Sequence, residues 1–250
     1  MRDERPFLKA QLHRQLLWLK DSWTWIIETR VLADLPLKST RPSALDVGCG
    51  PGYVMELLAP FFDVTGVDND LGTVNSARMR GLDVIQADVM DLPYEDDSFD
   101  LVYCSFLMLW LNGPARAIRE MKRVSKHWVI CLAEPDYGGR IDHPAELTSL
   151  TRYLAGDIRE HGGDPYVGRK LRSFFNGNGM KAEIAVHQGV WDLEMLQHQS
   201  KEEWASIERA AERHVDATAL REGKAAWEEG LKAGDLFQYN PVFYALGRKP

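Results

Sequence analysis

At 250 residues, 45% of them apolar, the chain is long enough for one large domain or for a domain with a cap. Its formal charge of −7 argues against a general nucleic-acid binder, which needs Lys and Arg for phosphate contacts. Apolar runs such as Phe106–Leu111 are far too short to span a bilayer, so no membrane insertion is expected.

Residues 6–34 read as one or two helices, with Leu8, Leu12, Leu16 and Leu19 at helical spacing and Trp18, Trp23, Trp25 and Ile26 following. A loop with Pro36 and Pro42 leads into the apolar run Ala44-Leu45-Asp46-Val47. Gly48, Gly50 and Gly52 come next, at every second position, which reads as a buried strand turning sharply into a helix. Glycine takes positive φ and lets a ligand approach the backbone. The helix behind it points free N–H groups and a partial positive charge at the loop. This is a nucleotide-type cradle. A dinucleotide pattern, G-x-G-x-x-G, would need glycine where Tyr53 stands; the spacing here is G-x-G-x-G with Asp46 two residues ahead.

Helix 52–59 is stopped by Pro60, and a second strand over 62–67 ends at Asp68, with Asn69 and Asp70 before helix 70–80. An acid at that strand end can accept both ribose hydroxyls, in a dinucleotide site as in others. A third strand over 83–87 runs into A-D-V-M-D-L-P, then acidic turn residues, then S-F-D-L-V and a fourth strand, Leu101–Phe106. Helix 114–124 and a solidly apolar fifth strand, Trp128–Ala133, follow.

These segments, in this order over roughly residues 43–135, resemble the motifs of class I S-adenosylmethionine-dependent methyltransferases, in particular the small-molecule group. The resemblance implies that Asp46 holds the methionine ammonium group, and that Gly48, Cys49, Gly50 and Gly52 pass under the ligand. It implies that Asp68, with Asn69, takes the ribose, that Asp88 bonds the adenine amino group, and that Val89 packs on the ring. Ser105 and Phe106 are expected beside the methionine part. In the family the edge after the fifth strand faces the substrate, which makes Glu134, Asp136, Tyr137 and Arg140 candidates there. The N-terminal helices often form a lid, which adds Trp18 and Trp23 as substrate contacts. Candidate bases or catalytic groups are Glu134, Tyr137 and His143, with His214 a further histidine. No histidine–carboxylate spacing reads as a metal site.

Charge is uneven along the chain. Residues 43–112 hold 2 basic and 12 acidic side chains, residues 1–42 hold 8 and 5, and the remainder 20 and 20. The acidic block lies on the cofactor half and suits a ligand carrying a sulfonium and an ammonium better than one with a pyrophosphate. Cys49, Cys104 and Cys131 show no C-x-x-C spacing, and the charged opening M-R-D-E-R-P-F lacks a signal core; a cytoplasmic protein without disulfides is expected.

Beyond the fifth strand, residues 145–161 read as helical, residues 162–165 break the chain, helix 169–176 leads to a sixth strand over 181–187, and 193–233 is a helical block. A last strand over 235–248 contains Pro241, which implies a bulge or an edge. The expected architecture is α/β: a Rossmann-like three-layer sandwich with a seven-stranded, mostly parallel sheet, an antiparallel last strand and a helical cap. The partition is 1–42 lid, 43–192 cofactor-binding core, 193–233 cap insertion and 234–250 last core strand, within a single domain. The expected function is in-line transfer of a methyl group from S-adenosylmethionine to a small, partly apolar metabolite, with S-adenosylhomocysteine as product. Two other readings stay open at this point: an NAD-type oxidoreductase, and a regulatory protein that binds S-adenosylmethionine without turnover.

Overall fold

The computed structural model describes residues 19–36, 41–187, 191 and 193–249; Trp18 lies outside them. They fall into two compact units, the first within Met1–Glu134, Lys170–Ala185 and Phe243–Pro250, the second within Pro135–Arg169 and Val186–Val242. The sequence partition drew its boundary at residue 193; by contact, Pro135–Arg169 groups with the later segment instead.

In the first unit, helix α1 (19–26) runs on through a π turn, Ile27–Val31, and a 3₁₀ turn, Leu32–Asp34. Leu19, Trp23, Ile26, Ile27 and Val31 are buried along one stripe, while Trp25 is 51% exposed. Leu35 is extended, as the residue before Pro36 must be. The elements that follow are β1 (Ser43–Val47), α2 (Tyr53–Leu58), β2 (Asp63–Asp68), α3 (Leu71–Met79), β3 (Val84–Gln86), β4 (Phe99–Ser105), α4 (Pro114–Val124) and β5 (Ser125–Pro135). Asp70 caps α3, its side chain accepting from the Thr73 N–H at 2.7 Å. Pro114 opens α4, which buries Ala117, Ile118, Met121 and Val124 on one face.

The second unit contributes β6 (Ile141–His143), α5 (Thr148–Thr151) and α6 (Leu154–Glu160); α7 (Leu171–Asn176) and most of β7 (Ala182–Val186) return to the first. Then come α8 (Leu193–Ala211), α9 (Ala217–Ala233), β8 (Phe237–Tyr239) and β9 (Val242–Arg248).

The large sheet has seven strands in the order β3-β2-β1-β4-β5-β9-β7. β1 is parallel to β2 and β4, β2 to β3, and β4 to β5. β4 and β5 are buried almost throughout, as strands covered on both faces are. The end of β9 meets the start of β5, where the Lys249 N–H donates to the His127 carbonyl at 2.7 Å, so β9 runs antiparallel.

The expected single last strand is two. Pro241 has no N–H to give to a ladder, and the chain changes sheets there. β8 pairs antiparallel with β6, a short strand the sequence does not reveal, and β9 joins the large sheet. The second unit has its own apolar core, in which Leu147, Leu150, Leu196, Ile207, Trp204 and Trp227 are buried. Asp216 caps α9 at its start, and Gly234 closes it in a left-handed conformation.

Candidate functional site

The tips of β3, β2, β1 and β4 are adjacent and point the same way, so the residues that follow them share one edge of the sheet. This is the edge at which open α/β sheets bind ligands. Asp46 sits near the end of β1 and is 1% exposed. Neither of its carboxylate oxygens has a hydrogen-bond partner among the described residues. Burial pushes its pKa up to about 8; the neighbouring Tyr103 opposes the rise and Asp68 adds to it. An isolated buried carboxyl group is costly, and a cation is what would relieve it.

The N–H groups of Gly48 and Cys49 both donate to the Val67 carbonyl, at 2.8 and 3.0 Å, which folds the loop back over β2. Gly50 has φ +54, and an added Cβ there would meet nothing within 4 Å; its face of the loop is open. Gly52, with φ +84, caps α2, and a Cβ there would lie 2.1 Å from Leu82. Gly52→Ala should therefore cost about 1–3 kcal/mol, from strained backbone and a displaced leucine, while Gly50→Ala meets strain alone. Chemical denaturation of both variants checks this; equal losses would contradict it. The Cys49 thiol is buried, and its pKa is raised by burial and by Asp46 and Asp68, so it is no thiolate nucleophile.

Asp68 ends β2 and accepts from the N–H groups of Gly50 and Asp70, both at 2.9 Å. It thus ties the glycine loop to the next helix. Asn69 is exposed, and its carbonyl accepts from the Gln86 side chain at 3.0 Å. Asp88 lies exposed two residues past β3, accepting from the Met90 N–H at 2.9 Å, and Val89 is buried beside it.

Ser105 closes β4, and Phe106 after it has φ +51, a strained value for an aromatic residue. Two contacts hold it there. Its N–H donates to the Ala133 carbonyl at 2.7 Å, and Glu134 binds the turn behind it. Glu134 is fully buried at the end of β5 and accepts from the N–H groups of Leu107 at 3.1 Å, Met108 at 3.0 Å and Leu109 at 3.4 Å. Burial raises its pKa to about 8 against those three amides. Its contacts brace the β4 tip. Trp23 is buried, with its ring 6.5 Å from that of Phe106.

The remaining candidates belong to the second unit. Asp136 is buried, and its carboxylate accepts from the Arg169 guanidinium at 2.5 and 2.7 Å and from the Gly138 N–H at 3.1 Å. The Tyr137 N–H donates to the Pro165 carbonyl at 2.9 Å, and its side chain packs on the unit's apolar core. Arg140 is enclosed by Asp142, at 3.0 Å, and Glu203, at 3.3 Å. Thr151 and Gln238 donate to the same Asp142. His143 is exposed on β6, and His214 stacks on Tyr153 at 4.6 Å. Sequence reasoning missed Asp142, Glu203 and Arg169 as partners, and it passed over Tyr103, a polar-tipped residue inside an apolar strand.

A family profile described as a methyltransferase domain matches residues 45–132. A Streptomyces fradiae protein, an uncharacterized 37.1 kDa protein in transposon TN4556, is 30% identical over 78% of this chain and 59% of its own length. The demethylmenaquinone methyltransferase of Staphylococcus aureus is 35% identical over 41% of this chain and 47% of its own. The chain thus spans 47–59% of these curated relatives. A crystal structure from Bacillus halodurans, provisionally assigned as a methyltransferase, superposes with a TM-score of 0.57 at 17% identity, covering 88% of this chain and 97% of that one. At that identity the likeness speaks for the fold. Among the described residues, no helix is long and apolar enough to cross a membrane.

Proposed function

Because the chain belongs to the class I S-adenosylmethionine-dependent methyltransferases of the type 11 group, we propose that it transfers a methyl group from S-adenosylmethionine to a small, partly apolar acceptor. The observation that carries this reading is Asp46, a buried carboxyl group with no partner, under a glycine loop whose Gly50 face is open. A cationic ligand satisfies that acid, whereas the pyrophosphate of a dinucleotide would set anion near anion. When bound, the cofactor supplies a methyl group on a positively charged sulfur, already activated for displacement.

The chain's own part is to bind, orient and exclude water. Asp46 would take the ammonium group, Asp68 the ribose hydroxyls, and Asp88 with Val89 the adenine. Phe106, braced by Glu134 and faced by Trp23, would form a wall beside the methionine part. Holding donor and acceptor in line can contribute on the order of 7–11 kcal/mol without further chemistry. A phenol or carbon acid would also need a base. Three buried free thiols suit a reducing, cytoplasmic setting.

The acceptor class follows a relative named for demethylmenaquinone, an apolar ring compound. Turnover of labelled S-adenosylmethionine against a panel of quinols, phenols and amines tests it. Label should pass to an apolar ring acceptor; transfer to none of them, with tight cofactor binding, would favour a regulatory role. Asp68→Ala should weaken cofactor binding roughly 10- to 150-fold, through lost hydrogen bonds to a charged group. An unchanged dissociation constant would remove Asp68 from the site.

A further inference from the structure

Tyr103 stands beside Asp46 on the next strand. The two are register partners across β1 and β4, and both are buried, Asp46 at 1% and Tyr103 at 0% exposure. The tyrosine hydroxyl and both carboxylate oxygens lack hydrogen-bond partners among the described residues. Unpartnered polar atoms gathered in a buried place cost a fold stability, and they persist where a ligand completes the set. The groups facing Asp46 are Tyr103 and the Cys104 thiol on β4, Asp68 on β2 and Cys49 in the loop. Both thiols are kept neutral by burial, and Asp68 repels a second negative charge. Tyr103 alone of these has a strong donor to offer a carboxylate. Burial and Asp46 together hold its own proton firmly in place.

We propose that Tyr103 is a positioning residue for the cofactor's ammonium group: its hydroxyl donates to Asp46 once that group ionises, which eases formation of the carboxylate and orients it to receive the cation. This rests on the reading of the glycine loop as an S-adenosylmethionine site. Tyr103 touches no ligand in this account; it acts through Asp46 and so sets the pH range over which the cation is accepted.

The test uses the full chain, its Tyr103→Phe variant, and Asp46→Asn to identify the Asp46 carboxyl resonance. In the ligand-free protein, the Asp46 titration midpoint should rise by about one to two pH units in Tyr103→Phe. An unmoved or lowered midpoint overturns the proposal. Calorimetric titration with S-adenosylmethionine forms the second arm. The variant should bind roughly 10- to 100-fold more weakly near neutral pH and come within about threefold of the parent at alkaline pH. A loss equal at every pH overturns the proposal, since it would make Tyr103 a packing residue or a direct contact. The ring is retained and an unpartnered oxygen removed, so equal thermal stability is expected at acid pH, where Asp46 is protonated in both proteins; a marked loss there would also assign Tyr103 to packing. If the parent fails to bind S-adenosylmethionine while the midpoint shift is present, the cofactor reading falls and the Tyr103–Asp46 pairing stands.

Discussion

Asp46→Asn should weaken S-adenosylmethionine binding by on the order of 10²- to 10⁴-fold at alkaline pH, about 3–5 kcal/mol, while the ligand-free protein becomes no less stable. Both halves follow from one fact. The carboxyl group is buried without a partner, and its pKa stands at about 8, above its ordinary 3.8. An acid raised on folding leaves stability intact below its unfolded value and loses it as pH climbs through the folded one. Asparagine never ionises, so the variant escapes that loss and should unfold at a higher temperature than the parent above about pH 8. The fully buried Glu134, raised to about 8 in the same direction, is unaltered and drops out of the comparison. The parent has a linked signature. Below about pH 8 the acid must give up its proton to meet a cation, so affinity should rise with pH by up to about tenfold per unit until the ligand's own ammonium group begins to lose its proton in the same range. Calorimetry across pH, with thermal unfolding of the ligand-free proteins, reads both. A variant that binds like the parent, or one that is simply less stable at every pH, would show Asp46 to be a packing residue.

Arg140→Ala is expected to destabilise the second unit by about 3–5 kcal/mol, because it leaves buried acids without their counter-charge. The Arg140 side chain is 9% exposed, Asp142 1% and Glu203 14%. The guanidinium joins β6 to α8, and Thr151 and Gln238 hold Asp142 from two further elements. Denaturant unfolding measures the loss. S-adenosylmethionine affinity should be unchanged where the variant is folded, since the acids assigned to the cofactor lie in the first unit. If Arg140→Ala kept full stability and lost turnover alone, the arginine would be a substrate contact, as the family resemblance suggested.

The sheet edge that carries the glycine loop was legible because its signals are local. Gly48, Gly50 and Gly52 announce a turn within five residues, and Asp68 and Asp88 each follow a short apolar strand, so spacing alone puts them at strand tips. The seven-stranded sheet follows from the same punctuation. What stayed hidden depends on contacts between distant residues. Arg140 and Glu203 are 63 positions apart, and no local pattern joins them. Glu134 reads in sequence as a free acid at a substrate edge; only the fold brings the Leu107, Met108 and Leu109 amides to it. β6 and β8 are three residues each, too short to show an alternation, so Pro241 read as a flaw in one strand and not as a switch between sheets.

The central claim is that the loop after β1 holds an adenosyl amino acid whose cation meets Asp46. Calorimetric titration of the full chain with S-adenosylmethionine at about pH 7, in two buffers of different ionisation heat, tests it most directly. The account predicts saturable binding with release of a proton to the buffer, and no comparable binding of NAD. Tight NAD binding with no heat from S-adenosylmethionine, or S-adenosylmethionine binding without proton release, would contradict it.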